Sequence, residues 1–542
     1  MSGEVVDDKT RQEPEHFEDL KRENGVVLKS DHDKLGVWAT VWRFKKAVLV
    51  CNLLCIAASA DGYQINLNGN IIANLGFIRK VGFPDETGEY YLKAEYTSFW
   101  GALQSLGQLI GMILLNPISD LIGRKMTLYL LWFVLVGALL LETLVRDWRD
   151  WAGAKLLAGI GIGCIQTTLP IYITEWSPTN IRGAMVLAYG FWNAFGKFLP
   201  LLVLTLCEEK DKFDYKTPIL TQWGFLGLML PIFLWLPETP AYYANRDQDE
   251  KGKKTLRRVY GNVPGYDVEV EYAIIKNTLL EEKQRNKENE MKGLRNIIHM
   301  YMECFRRENL RRTIGASAPI CAQQLTGLSF LSTYASLFFR QSGFDNAFLI
   351  TTILSCIALV AATCLMIFTD RFGRRPVVFV SSIVCTTAMI IIGVLGLVPK
   401  TTALNNFLIF VACAWSFCSN ALGGIGWAFV GEVASQKLRA ATAGLSAALS
   451  VVFGLTFNTA LPTMLDVQGA NMGYHTAWLF AGTGTVLCVL VWMYAPEPSA
   501  RNPAEMDEMY EKGIPAWRMR KYVTDVQLRQ QYQQSGLLDD QK

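Results

Sequence analysis

Histidine is scarce, with 4 in 542 residues, and no Cys/His cluster has the spacing of a metal site. Twelve cysteines are present, but no CxxC pair occurs. Nine of them (Cys51, Cys55, Cys164, Cys321, Cys356, Cys364, Cys413, Cys418 and Cys488) fall inside apolar windows, where a thiol acts as a small hydrophobe. No nucleophile stands beside a base and no phosphate-cradling loop appears, so neither a catalytic residue nor a cofactor is expected. Charge is thin as well. Asp, Glu, Lys and Arg make up 19% of the chain against 51% for the hydrophobic residues, and mean hydropathy is +0.19. That balance excludes an ordinary soluble domain. A formal net charge of +3 leaves no basic face for nucleic acid and no acidic tract for a cationic partner.

What the sequence has instead is length of apolar run. Met126 to Val145, Thr351 to Thr369 and Tyr474 to Tyr494 each supply enough residues to cross a hydrocarbon layer about 30 Å thick. Such windows recur six times over 46–236 and six times over 313–494. The expected fold is an all-α integral membrane protein of twelve transmembrane helices in two six-helix pseudo-repeats. A charged N-terminal tail (1–45) lacks a signal-peptide core, a charged linker with helical patches (237–312) joins the halves, and 495–542 form a C-terminal tail. Basic residues collect in alternate loops, at Arg124 and Lys125, Arg182, the linker, Arg371, Arg374 and Arg375, and Lys437 and Arg439. By the positive-inside rule this places the linker and both termini in the cytoplasm.

The halves are related by internal duplication. Asp120, Gly123 and Arg124 recur as Asp370, Gly373 and Arg374; Glu175 and Arg182 recur as Glu432 and Arg439; Pro237 and Glu238 recur as Pro496 and Glu497. Order and offset are nearly constant, as duplication of a six-helix unit requires. These charges sit at expected cytoplasmic helix ends. Topogenesis needs only Lys or Arg, so the accompanying acids point to ion-paired latches, Asp120 with Arg182 and Glu175 with Arg124, that break when the halves rock.

The doubled DxxGR motif, Pro237-Glu238-Thr239-Pro240, Gln323-Gln324-Leu325-Thr326-Gly327 and Trp427 together resemble the sugar porter branch of the major facilitator superfamily. The run Tyr334 to Gly343 and the tail Glu505 to Trp517 look most like its fungal hexose and alpha-glucoside (maltose permease-like) permeases. The resemblance implies plasma-membrane transport of a hexose or alpha-glucoside by a monomer working through alternating access. It implies a substrate site of Gln323, Gln324, Ser329, Thr333, Tyr334 and Trp427. Amides and hydroxyls at membrane depth suit a hydroxyl-rich solute, and an aromatic suits a sugar ring. The chain departs from the family where Ser329 replaces an Asn, where Gly424 and Gly426 replace prolines, and where Gly190 replaces a polar sugar contact. Export of a secondary metabolite and nutrient sensing are the rival readings on the same fold.

Proton-coupled members carry an Asp in helix one, where this chain has Gln64 after Gly62-Tyr63, and an Arg in helix four, where Lys155 stands. The amide implies facilitated diffusion. Asp61, three residues before Gln64 and on nearly the same helical face, is the alternative coupling group, with Lys155 as its charge partner.

Overall fold

A computed structural model describes residues 37–84, 88–178, 181–290, 299, 301–344, 346–399, 401–434, 438–466, 470–498, 503–520 and 522–524. Residues 1–36 of the expected N-terminal tail and the end of the C-terminal tail lie outside the described residues, and Val37–Arg43 at the end of the former is a short helix. The first half contains α1 (Lys45–Asn70), α2 (Ala94–Ile122), α3 (Arg124–Thr143), α4 (Trp148–Trp176), α5 (Arg182–Lys210) and α6 (Gln222–Trp235). The second contains α7 (Arg307–Leu325), α8 (Ala347–Phe372), α9 (Arg374–Leu395), α10 (Thr402–Val433), α11 (Arg439–Leu465) and α12 (Thr476–Tyr494). Among the described residues, the helices Pro240–Asn245, Asp249–Tyr260 and Val268–Glu290 stand between the halves.

Ten of the described helices are long and apolar enough to cross a membrane. The other two places in the six-plus-six arrangement belong to α2 and to α7. The latter is broken: Gly327 has φ +95, a π-helical turn follows over Ser329–Thr333, and the chain resumes as Ala335–Gln341. Lipid cannot satisfy freed backbone groups, so a break at this depth must face protein or a water-filled cavity. Within the first half α1 packs on α5 and α2 on α4; within the second α9 packs on α10 and α12, and α7 on α10. Across the halves α5 packs on α8 and α2 on α11.

Among the described residues, hydrogen bonds between the halves gather at the helix ends away from the linker. Asn70 Oδ1 accepts from the Ser336 amide at 3.2 Å and from its Oγ at 2.7 Å, and Asn70 Nδ2 donates to the Ser332 carbonyl at 3.3 Å. Arg340 donates to the Ala73 carbonyl. Thr205 meets Thr352 at 2.8 Å, and Ser98 meets Thr463 at 3.3 Å. The halves are therefore fastened on the side opposite the linker.

Candidate functional site

A cavity lies between the halves, walled by α5 on one side and by α7, α8 and α10 on the other. Its polar lining includes Lys197, Gln323, Ser332, Ser355, Ser419 and Asn420, and Trp415 supplies an aromatic wall. Gln323 is held by one bond, from Nε2 to the Ser419 carbonyl at 3.1 Å. Its amide lies against Gly423, where a Cβ would come within 2.6 Å of Oε1. With no side chain at Gly423 the amide can stand at the cavity wall.

The other expected substrate residues are placed differently. Gln324 faces α11 at Gly454, and its buried Oε1 has no hydrogen-bond partner among the described residues. Ser329 donates to Asn458 Oδ1 at 2.7 Å, and the Tyr334 hydroxyl donates to the Asn458 carbonyl at 3.1 Å, so both tie α7 to α11. The Thr333 backbone packs where a Cβ on Gly69 would stand, making it a close contact between the halves. Trp427 is 56% exposed and lies outside the cavity lining. The tenth helix instead presents Trp415, whose indole is fixed by a 2.8 Å bond to the Thr326 carbonyl.

Lys155 is not the partner of Asp61. Its ammonium lies 2.8 Å from Glu142, and both side chains are fully buried. Gln222 donates to the second Glu142 oxygen at 3.0 Å, Gln64 accepts from Lys155 at 3.4 Å, and the Trp151 ring lies 4.3 Å from the ammonium. A second cavity adjoins this cluster, lined in part by Tyr63, Gln64 and Gln222. A buried charge is retained only when it is paired and hydrogen-bonded, and Glu142 supplies both. Asp61, also fully buried, accepts from Tyr189 and Asn193 at 2.9 Å each and from Gln166 at 3.2 and 3.3 Å.

The duplicated charges form matching devices in the two halves. Glu238 accepts from the amides of Arg124 at 3.1 Å and Lys125 at 3.0 Å. Glu497 accepts from those of Arg374 at 3.0 Å and Arg375 at 3.2 Å. Each carboxylate thus caps the N-terminus of α3 or α9, where orphan amides and the helix dipole favour an anion. Gly123 and Gly373, with φ +100 and +82, make the sharp entry that brings cap and helix together. Burial pushes the Glu238 carboxyl above the usual carboxylate range, against the pull of three backbone amides and Arg124. These two acids thus bond backbone amides at the starts of α3 and α9. Arg124 does pair with Glu175, at 3.1 Å, but inside one half. Arg182 opens α5 on an exposed face. The side chains of Asp120, Asp370, Glu432 and Arg439 lie outside the described residues.

Two half-bundles around a central polar cavity, with a broken helix at its wall, define a solute carrier of the major facilitator fold. Residues 50–510 match the sugar (and other) transporter family model, and the chain belongs to that family. It is 26% identical to the major facilitator-type transporter ecdD of Aspergillus rugulosus, over 86% of this chain and 87% of that protein. It is 24% identical to a general alpha-glucoside permease of Saccharomyces cerevisiae, covering 94% and 83%. With the low-affinity glucose transporter HXT3 of the same yeast it shares 21% identity over 96% and 91%. The fold matches an inward-open xylose transporter XylE from E. coli with TM-score 0.62 and 20% identity, covering 85% of this chain and 98% of that one.

Proposed function

We propose that this protein carries a sugar, built on a hexose or alpha-glucoside framework, across the plasma membrane by alternating access. The observation that carries the reading is the cavity between the halves, where Gln323 and a row of serines offer amides and hydroxyls beside Trp415. A polyhydroxylated ring satisfies such groups and stacks on such an aromatic. The names of the permease and glucose-transporter relatives support the same substrate class.

In this reading the linker and both termini face the cytoplasm, consistent with the basic residues of the linker-side loops. The bonds of Asn70, Ser336 and Arg340 then close the outer side, and the state is inward-facing. Release toward the outside requires breaking them while the linker-side ends approach. The working units are 46–236 and 313–494, joined by 237–312, with cytoplasmic tails at 1–45 and 495–542. The transporter acts as a monomer, either as a facilitator, which the amide at Gln64 favours, or as a proton symporter using Asp61. Uptake of a labelled sugar panel in a transport-deficient cell tests the substrate class. Absence of uptake for every hexose and glucoside, with the protein at the surface, would refute it.

A further inference from the structure

Lys197 lies near the middle of α5, at membrane depth, and lines the central cavity. Its backbone carbonyl accepts from Asn66 at 2.6 Å, but its ammonium forms no hydrogen bond or ion pair with any described residue. No ion pair joins it to Asp61 among the described residues. Asp61 is occupied: its two oxygens already accept from Gln166, Tyr189 and Asn193. An ammonium half-buried at membrane depth without a bonded anion is costly, more so than an amide or hydroxyl. The contrast with Lys155 is direct, since that lysine is closed off by Glu142, Gln64 and Trp151. Recognition of a neutral sugar needs no cation, and Gln323, Ser332, Ser355, Ser419 and Asn420 on the opposite wall already supply neutral donors and acceptors.

We propose that the transported solute is an acidic sugar, of the hexuronate or aldonate class, whose carboxylate docks on Lys197 while its hydroxyls engage the Gln323 wall. This rests on the sugar-transport reading and narrows it. Lys197 is the residue that selects acid over neutral sugar. A charge-assisted bond of this kind contributes about 10- to 100-fold in affinity.

The test is competition and counterflow with the purified full chain in proteoliposomes, using D-galacturonate and D-gluconate against D-galactose, D-glucose and maltose. The wild type should prefer each acid over its neutral parent by at least about tenfold, Lys197→Gln should abolish that preference, and Lys197→Arg should keep most of it. The wild-type preference alone decides the matter if a Lys197 variant fails to fold. Preference of the wild type for neutral sugars, or an acid-to-neutral ratio unchanged in Lys197→Gln, overturns the acidic-sugar proposal and leaves sugar transport standing. Failure of acids and neutral sugars alike to bind or move overturns both.

Discussion

Replacing Glu142 with Gln should be among the most damaging single changes in the first half. The carboxylate holds the Lys155 ammonium at 2.8 Å and the Gln222 amide at 3.0 Å in a region with no solvent exposure. With the charge gone, Lys155 keeps only neutral partners: the substituted amide oxygen, Gln64 at 3.4 Å and the face of Trp151. Breaking a buried pair by neutralising one partner costs about 3–5 kcal/mol, whereas replacing both partners with apolar groups of similar volume is often neutral or stabilising. Glu142→Gln and Lys155→Met should therefore each lower the Tm of the purified protein in detergent, and the combined Glu142→Leu/Lys155→Met variant should recover most of the loss. The double variant also removes the charge nearest Gln64, so its transport measures whether the pair serves only the fold. A single variant with wild-type Tm, or a double variant no better than the worse single one, would refute the reasoning.

Asn70→Ala removes three hydrogen bonds between the halves, about 0.5–1.5 kcal/mol each, and should shift the population toward the outward-open state by at least about tenfold; labelling of a cavity cysteine from outside reads this, and unchanged accessibility counts against the latch. Glu238→Ala and Glu497→Ala leave two helix amides apiece without their carboxylate and should each cost about 1–3 kcal/mol, seen as a lower Tm. Because burial raises the Glu238 carboxyl, its folded form binds a proton more readily than the unfolded chain does. Its contribution to stability is then greatest below the unfolded value and lost as pH rises through the folded one, a slope that Glu238→Gln should flatten. Asp61→Asn tests coupling: uphill accumulation under an imposed pH gradient that the variant loses, while counterflow survives, would establish symport and reject facilitation.

The two-times-six architecture was legible because membrane spanning writes itself in apolar length, and because duplicated Gly, Arg and Glu residues keep their order. The same repetition located Glu238 and Glu497, but not that they cap helices; a carboxylate bonding backbone amides leaves no mark distinct from one bonding a guanidinium. Gln323 was legible as a polar residue at depth. Gln324 and Trp427 were singled out by the same resemblance, yet Gln324 turns to α11 and Trp427 sits outside the cavity lining. A one-dimensional pattern fixes residue type, while helix rotation fixes which wall it meets. Glu142 escaped notice because it lies at the end of an apolar run, where an acid reads as an interfacial residue. Lys197 carried a usable signal, a lone cation amid the apolar residues of α5. Its geometry at the cavity wall gave that signal its meaning.

The central claim is that a sugar crosses through the cavity between α5 and the α7, α8 and α10 wall. Counterflow of labelled sugars, acidic and neutral, in proteoliposomes bearing wild type or Gln323→Ala tests it most directly. Saturable exchange of at least one sugar by the wild type is expected, and its loss in the variant with Tm unchanged. Exchange undiminished in Gln323→Ala, or none for any sugar in the wild type, would contradict it.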